Sequence, residues 1–249
     1  HVFRKNKIQL IYYPLYVRAH LKHHILDVCN NRDASSVLIA ITLGTKEFLH
    51  RELKDSYANA GGIHVMAVSG LHVGMIWMFL SFFMKVFGRK RVSVIIRTIL
   101  IVFALWFYAM LTGLSPSVTR STLMFSILSL GNLLKRDSSV YNTLMLAAFI
   151  QLFVNPGLLY DPGFQFSYLA VFSIVYFHPV ICSFLPVKAY IPGKVVDLAA
   201  VSISAQILTF PLAVFHFHRF PVFFLLTNFV VIPMVTIIMI LFLCSCILV

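Results

Sequence analysis

Long apolar runs separated by short polar ones dominate the chain after residue 60. A helix that crosses a membrane needs about 20 mostly apolar residues. Runs of this kind fall at roughly 63–87, 93–112, 117–134, 139–154, 164–186, 196–217 and 220–249. The run at 139–154 is short. The last is long and is broken at Pro233, so it reads either as one kinked helix or as two segments. Residues 1–60 differ: Arg18-Ala-His-Leu-Lys22 and Lys46-Glu-Phe-Leu-His-Arg51 sit beside short apolar stretches. These predict amphipathic helices at the membrane interface or in solvent, with Val37–Leu43 a short buried segment. The pattern predicts an all-α, polytopic transmembrane helix bundle of about seven or eight spans with broken helices. Residues 1–36 read as an amphipathic linker segment, and 37–249 as the membrane domain.

Composition agrees. Of 249 residues, 60% are hydrophobic and only 11% charged, too few charges to cover the surface of a soluble domain this size. The charge is lopsided, with 20 Lys and Arg against 8 Asp and Glu. Such an excess either fixes membrane topology or meets polyanions, lipid head groups or nucleic acid. Its placement favours a topological share. Lys85, Arg89, Lys90 and Arg91 follow the first long run, Lys135 and Arg136 the third, Lys188 and Lys194 the fifth. The loops at 113–116 and 155–163 hold no Lys or Arg. The positive-inside rule puts the basic loops in the cytoplasm and the others, with the start of the first long run, outside. Cys29, Cys182, Cys244 and Cys246 show neither paired nor metal-ligand spacing. The chain starts without Met and ends inside an apolar run, which reads as a piece of something longer.

Polar groups inside the apolar runs carry the candidate chemistry. In His64-Val-Met-Ala-Val-Ser-Gly-Leu-His72, Ser69 and His72 are three apart and predicted to share a helix face. Gly70 and Gly74 have the small-xxx-small spacing that lets helices approach closely. A Ser and a His this near suggest a nucleophile and its base, but no carboxylate lies nearby in sequence to orient the base. His64 and His72 lack the spacing of a helical metal pair, and no metal site is expected. Ser115-Pro116 reads as a cap and first helical residue. Arg120 follows one turn later, where it either serves an anion site at the helix N-terminus or snorkels to the outer interface. Asp161-Pro162 repeats the device, with Gln165 and Ser167 in the next turns. Two such starts suggest a polar vestibule; the bland alternative is hydrogen bonding between neighbouring helices. Gln206, Pro211, Asn228 and Pro233 add kinks and polar groups, a channel or transporter trait.

Together these residues resemble the ComEC family of competence proteins. His64–His72 is similar to its A-[IV]-S-G-L-H signature, and Thr112-Gly-Leu-Ser-Pro-Ser-Val-Thr-Arg120 to its T-G-x-S-P-[SA]-x-x-R segment. Asn155-Pro156 with Asp161-Pro-Gly-Phe-Gln-Phe-Ser167 resembles N-P…D-x-G-F-Q-[LF]-S, and Gln206, Pro211, His216, Asn228 and Pro233 follow its last block in order. Phe166 and the Thr119-Arg-Ser121 context are mild departures. The resemblance covers residues 37–240. It implies the membrane part of such a protein, with residues 1–10 the tail of a preceding OB-like domain.

The resemblance further implies a channel for importing single-stranded DNA across the bacterial cytoplasmic membrane during natural transformation, as a multi-pass protein. His64, Ser69, His72, Ser115, Arg120, Gln165 and Ser167 would line the path. Gly70, Gly74, Pro116, Pro211, Asn228 and Pro233 would shape the helices. The implied partners are single-stranded DNA, membrane lipids, a DNA-receptor protein outside and a helicase-like ATPase inside; a homodimer is a candidate assembly. No cofactor is implied, and no P-loop is present. Nuclease activity would belong to a metallo-β-lactamase-like domain, whose H-x-H-x-D-H ligands are absent from this sequence. The residues alone also admit a small-solute or ion transporter, or an intramembrane Ser/His hydrolase.

Overall fold

A computed structural model describes residues 2–45, 49–52, 68–88, 91–134, 139–184, 190–217 and 224–248. The described elements are helical. They run α1 (Val2–Val28), α2 (Arg32–Leu43), α3 (Gly70–Phe83), α4 (Arg91–Leu111), α5 (Pro116–Leu133), α6 (Val140–Val154), α7 (Pro162–Phe184), α8 (Tyr190–Phe217) and α9 (Phe224–Leu248). Short 3-10 turns follow α3 at Met84–Phe87 and α6 at Pro156–Tyr160. Two compact units partition the chain: His1–Asn59, Ile63–Asp137 and Met234–Val249 form one, Ala60–Gly62 and Ser138–Pro233 the other.

The expected runs coincide with helices. Among the described residues, three are long and apolar enough to cross a membrane: Arg91–Leu111, Pro162–Phe184 and Val196–His216. Gly70–Val86, Val140–Val154 and Val230–Ser245 are apolar but shorter. The run at 117–134 became α5, whose first turns hold Ser117, Thr119, Arg120, Ser121 and Thr122. The last run is one helix with Pro233 inside it.

In the first unit, the expected buried segment at Val37–Leu43 forms the end of α2, where Ile39 and Leu43 are fully buried. They pack with Ile25 of α1 and Leu111 of α4, ringed by Val17, Leu21, Phe107 and Phe242. Asn31 starts α2 by accepting from the backbone of Asp33 and Ala34. Gly44 ends it in the left-handed region, at φ 73°, a conformation that costs glycine nothing. Tyr108 of α4 donates its hydroxyl to the Thr42 carbonyl, 3.1 Å away, which ties α4 to α2. It is worth about 1 kcal/mol on average, and more would be lost if the carbonyl were left bare.

The turn from α4 to α5 follows from its letters. Leu114 N–H reaches back to the Ala109 carbonyl and Gly113 N–H to that of Met110, with Gly113 at φ 80°. This is a Schellman stop built on glycine. Pro116 then opens α5 with a φ suited to the helix and no N–H to orphan.

Helices α3 and α5 lie side by side and parallel. A Cβ on Gly70 would stand 2.5 Å from Ser121 Oγ, and one on Gly74 3.1 Å from the Phe125 ring. Trp77 stacks on Phe125 with ring centroids 5.3 Å apart and donates its indole N–H to Ser129 Oγ at 2.8 Å. The glycine seam expected from the sequence is therefore where one helix admits the other.

In the second unit, α7 and α8 form a long antiparallel hairpin. Ser173 Oγ donates to the Ser204 carbonyl and accepts from Leu208 N–H, both on α8. That hydroxyl enters the backbone ladder of α8 just before Pro211, which can supply no N–H of its own. Tyr141 of α6 meets Phe172 of α7 edge to face at 5.9 Å.

Gly74→Leu should overpack the α3–α5 seam and cost about 1–3 kcal/mol of stability. Phe125→Ala in the same chain should recover part of that loss. Thermal unfolding of the two variants and the unaltered chain in detergent measures it; a Gly74→Leu melt equal to that of the unaltered chain would contradict the packing.

Candidate functional site

The helix that carries the described end of the HVMAVSGLH motif, α3, starts at Gly70. Ser69 is extended, so it is the cap and His72 the third helical residue. The expectation of a shared helix face is corrected accordingly: the two residues meet because they close a capping box. Ser69 N–H donates to His72 Nδ1 at 3.1 Å, and Ser69 Oγ lies 3.0 Å from the same nitrogen. Here histidine fills the place that Glu or Gln takes in the usual capping box. A nitrogen accepting an N–H bond carries no proton, so the neutral ring holds its proton on Nε2. That atom is buried and finds no hydrogen-bond partner among the described residues. His64 lies outside the described residues.

Beside this start runs the polar face of α5. Arg120 is 4% exposed, so it does not snorkel to the surface of the bundle. Val118, Ser121, Thr122, Ser126 and Ser129 are buried on the same helix. Three of the hydroxyls bond back to their own helix: Ser121 to the Ser117 carbonyl, Ser126 to Thr122 and Ser129 to Phe125. Back-bonding satisfies the hydroxyl hydrogen and leaves its oxygen able to accept. Ser115 stands at the cap position of α5, but its side chain makes no cap bond, a correction to its expected role. At the same end Thr119 donates its hydroxyl to the Leu114 and Ser115 carbonyls.

The polar face leads to a groove of about 350 Å³ whose lining includes Trp77, Phe82, Lys85, Arg97, Ser129 and Asn132. Cations and aromatic rings thus share one opening at the far end of the α3–α5 seam from Ser69.

In the second unit, Asp161 caps α7 as expected: its carboxylate accepts from Phe164 N–H at 2.9 Å. Asn155 does the same for the preceding 3-10 turn through Gly157 N–H. Gln165 donates to the Leu159 carbonyl at 2.8 Å, and its amide oxygen lies 3.4 Å from His216 Nε2. The N-P…D-P-G-F-Q segment therefore folds onto itself and onto the end of α8. Ser167 is half-buried on α7. Pro211 and Pro233 lie within α8 and α9 and are exposed. The backbone of Asn228 is helical; its side chain lies outside the described set.

Ser69, His72 and Arg120 belong to the first unit and Gln165 to the second. One grouping was missed in the sequence. His178 and Cys182 of α7 meet Asp197 of α8, with His178 Nε2 2.8 Å from Asp197 Oδ1. The His-x-x-x-Cys spacing was legible, but its third member comes from another helix.

Three helices long and apolar enough to cross a membrane, among described elements that are helical, mark a helical membrane protein. The chain belongs to the competence protein family, whose description, Competence protein, matches residues 41–249. It is 31% identical over 219 residues to ComE operon protein 3 of Bacillus subtilis (strain 168), covering 87% of this chain and 27% of that protein. It is 29% identical over 168 residues to an uncharacterized protein of Aquifex aeolicus (strain VF5), covering 68% of this chain and 37% of that one. The chain thus spans about a quarter to over a third of these relatives' lengths. No solved structure matches it.

Ser69→Ala should cost about 1 kcal/mol, the loss of one cap. His72→Ala should cost more, about 2 kcal/mol, because it strips the acceptor from Ser69 N–H in a closed site. Thermal unfolding of each variant checks the order; equal melts would show that His72 does not hold the cap.

Proposed function

We propose that this chain forms the membrane path by which one DNA strand crosses the bacterial cytoplasmic membrane during natural transformation. Family membership supports a role in DNA uptake. The observation that carries the path is the polar face of α5, with Arg120 buried on a helix that packs against the apolar helix α3. A buried intramembrane cation is costly and is retained where it serves a function. A strand of DNA asks for donors to its phosphates, flat sequence-tolerant surfaces for its bases and binding weak enough to release. Arg120 answers the first. Trp77 and Phe82, beside Lys85 and Arg97, answer the second where the groove opens. Many hydroxyls and few cations answer the third.

In this reading the chain spans the membrane several times, with its basic loops in the cytoplasm. The helix starts at Ser69, Ser115 and Asp161 face outside, where a DNA-receptor protein delivers the strand. A helicase-like ATPase draws it from the cytoplasmic side. In this reading the chain performs no hydrolysis: His72, the base that the sequence suggested, uses Nδ1 to hold the cap of its own helix.

Arg120→Ala, in the full-length protein of which this chain is the membrane part, should lower transformation frequency at least about tenfold at unchanged membrane abundance. That is the loss of one charge-assisted contact, about 1.5–3 kcal/mol. Arg120→Lys should keep part of the activity. Transformation counts and immunoblots of the membrane fraction measure both. Normal transformation by Arg120→Ala would sink the phosphate role.

A further inference from the structure

We infer that His178, Cys182 and Asp197 form a binding site for one zinc(II) ion that staples the ends of α7 and α8. His178 and Cys182 are four apart on α7, so they share a face one turn apart. Asp197 comes from the facing turn of α8. The three donor atoms converge: His178 Nε2 to Asp197 Oδ1 is 2.8 Å, Cys182 Sγ to His178 Nε2 3.4 Å and Cys182 Sγ to Asp197 Oδ1 4.0 Å. In a tetrahedral zinc site with bonds of about 2.0–2.3 Å, such edges measure about 3.3–3.6 Å. The observed triangle brackets these lengths, and shifts of a few tenths of an ångström complete it.

The side chains can make those shifts, since His178 is 29% and Asp197 62% exposed. The same exposure gives an ion a way in.

The donor set selects the metal. One imidazole, one thiolate and one carboxylate suit zinc. Magnesium and calcium want oxygen, and copper(I) wants softer company than a carboxylate. A neutral imidazole, a thiolate and a carboxylate balance a divalent charge. The loaded site is then neutral, which suits a place where apolar helices end. Three protein ligands leave a fourth position for water. A simpler reading is a His–Asp hydrogen bond with a thiol nearby. It accounts for the 2.8 Å contact but gives Cys182 no reason to face both partners.

The test uses the full chain purified in detergent, stripped with chelator and titrated with zinc, then with cobalt(II) as a spectroscopic stand-in. One zinc per chain is expected, with a cobalt complex showing a sulfur-to-metal charge-transfer band. Cys182→Ser should abolish that band and weaken zinc binding at least about tenfold; Asp197→Asn should weaken it similarly. Cys29→Ser should change neither. Circular dichroism of the Cys182→Ser chain, a nearly isosteric change, confirms that it is folded. Absence of bound zinc overturns the proposal. So does zinc binding that persists unchanged in Cys182→Ser without a charge-transfer band. That result would place the ion on histidines alone, such as the exposed His20 and His24 of α1.

Discussion

A polar side chain surrounded by hydrocarbon stays only where the protein supplies what water would have supplied. This constraint orders the first unit. The hydroxyls of Ser121, Ser126 and Ser129 turn inward and spend their hydrogens on carbonyls one turn back in α5. The Ser129 oxygen then accepts from Trp77 of α3. Helix α5 can be polar because its neighbour is close enough to answer it. The neighbour is close because Gly70 and Gly74 remove the Cβ atoms that would hold it away. Without a hydrophobic force between helices in lipid, such contacts and close packing supply the association.

The second unit meets the same demand another way. Ser173 and Ser204, both fully buried, are joined through a hydroxyl that serves the α8 backbone on either side. Gln165 closes the turn before α7 and reaches His216 at the far end of α8. The motif that the sequence suggested as a vestibule element folds as a local staple.

Arg120 is buried in the first unit, on the helix that opens with the T-G-x-S-P segment of the competence proteins. Serine and histidine at the start of α3, which first suggested catalysis, hold the cap of that helix.

The sequence by itself determined the elements and their punctuation. Helix starts at Ser115-Pro116 and Asp161-Pro162, the stop at Gly113 and the apolar spans are local matters. Each depends on φ, on a missing N–H or on a run of side chains within a few residues. It also placed the glycine seam and, through resemblance, the family. The span count expected from apolar runs was harder to read, because α5 mixes hydroxyls and a charge into a helix that packing, not hydropathy, keeps in place. Tertiary structure alone decided that Gly70 faces Ser121 and that Arg120 is buried. It alone brought Asp197 to His178 and Cys182. Those facts depend on which helix lies beside which and in what register. Register is set by the summed fit of many side chains on segments far apart in the chain, and no local pattern records it.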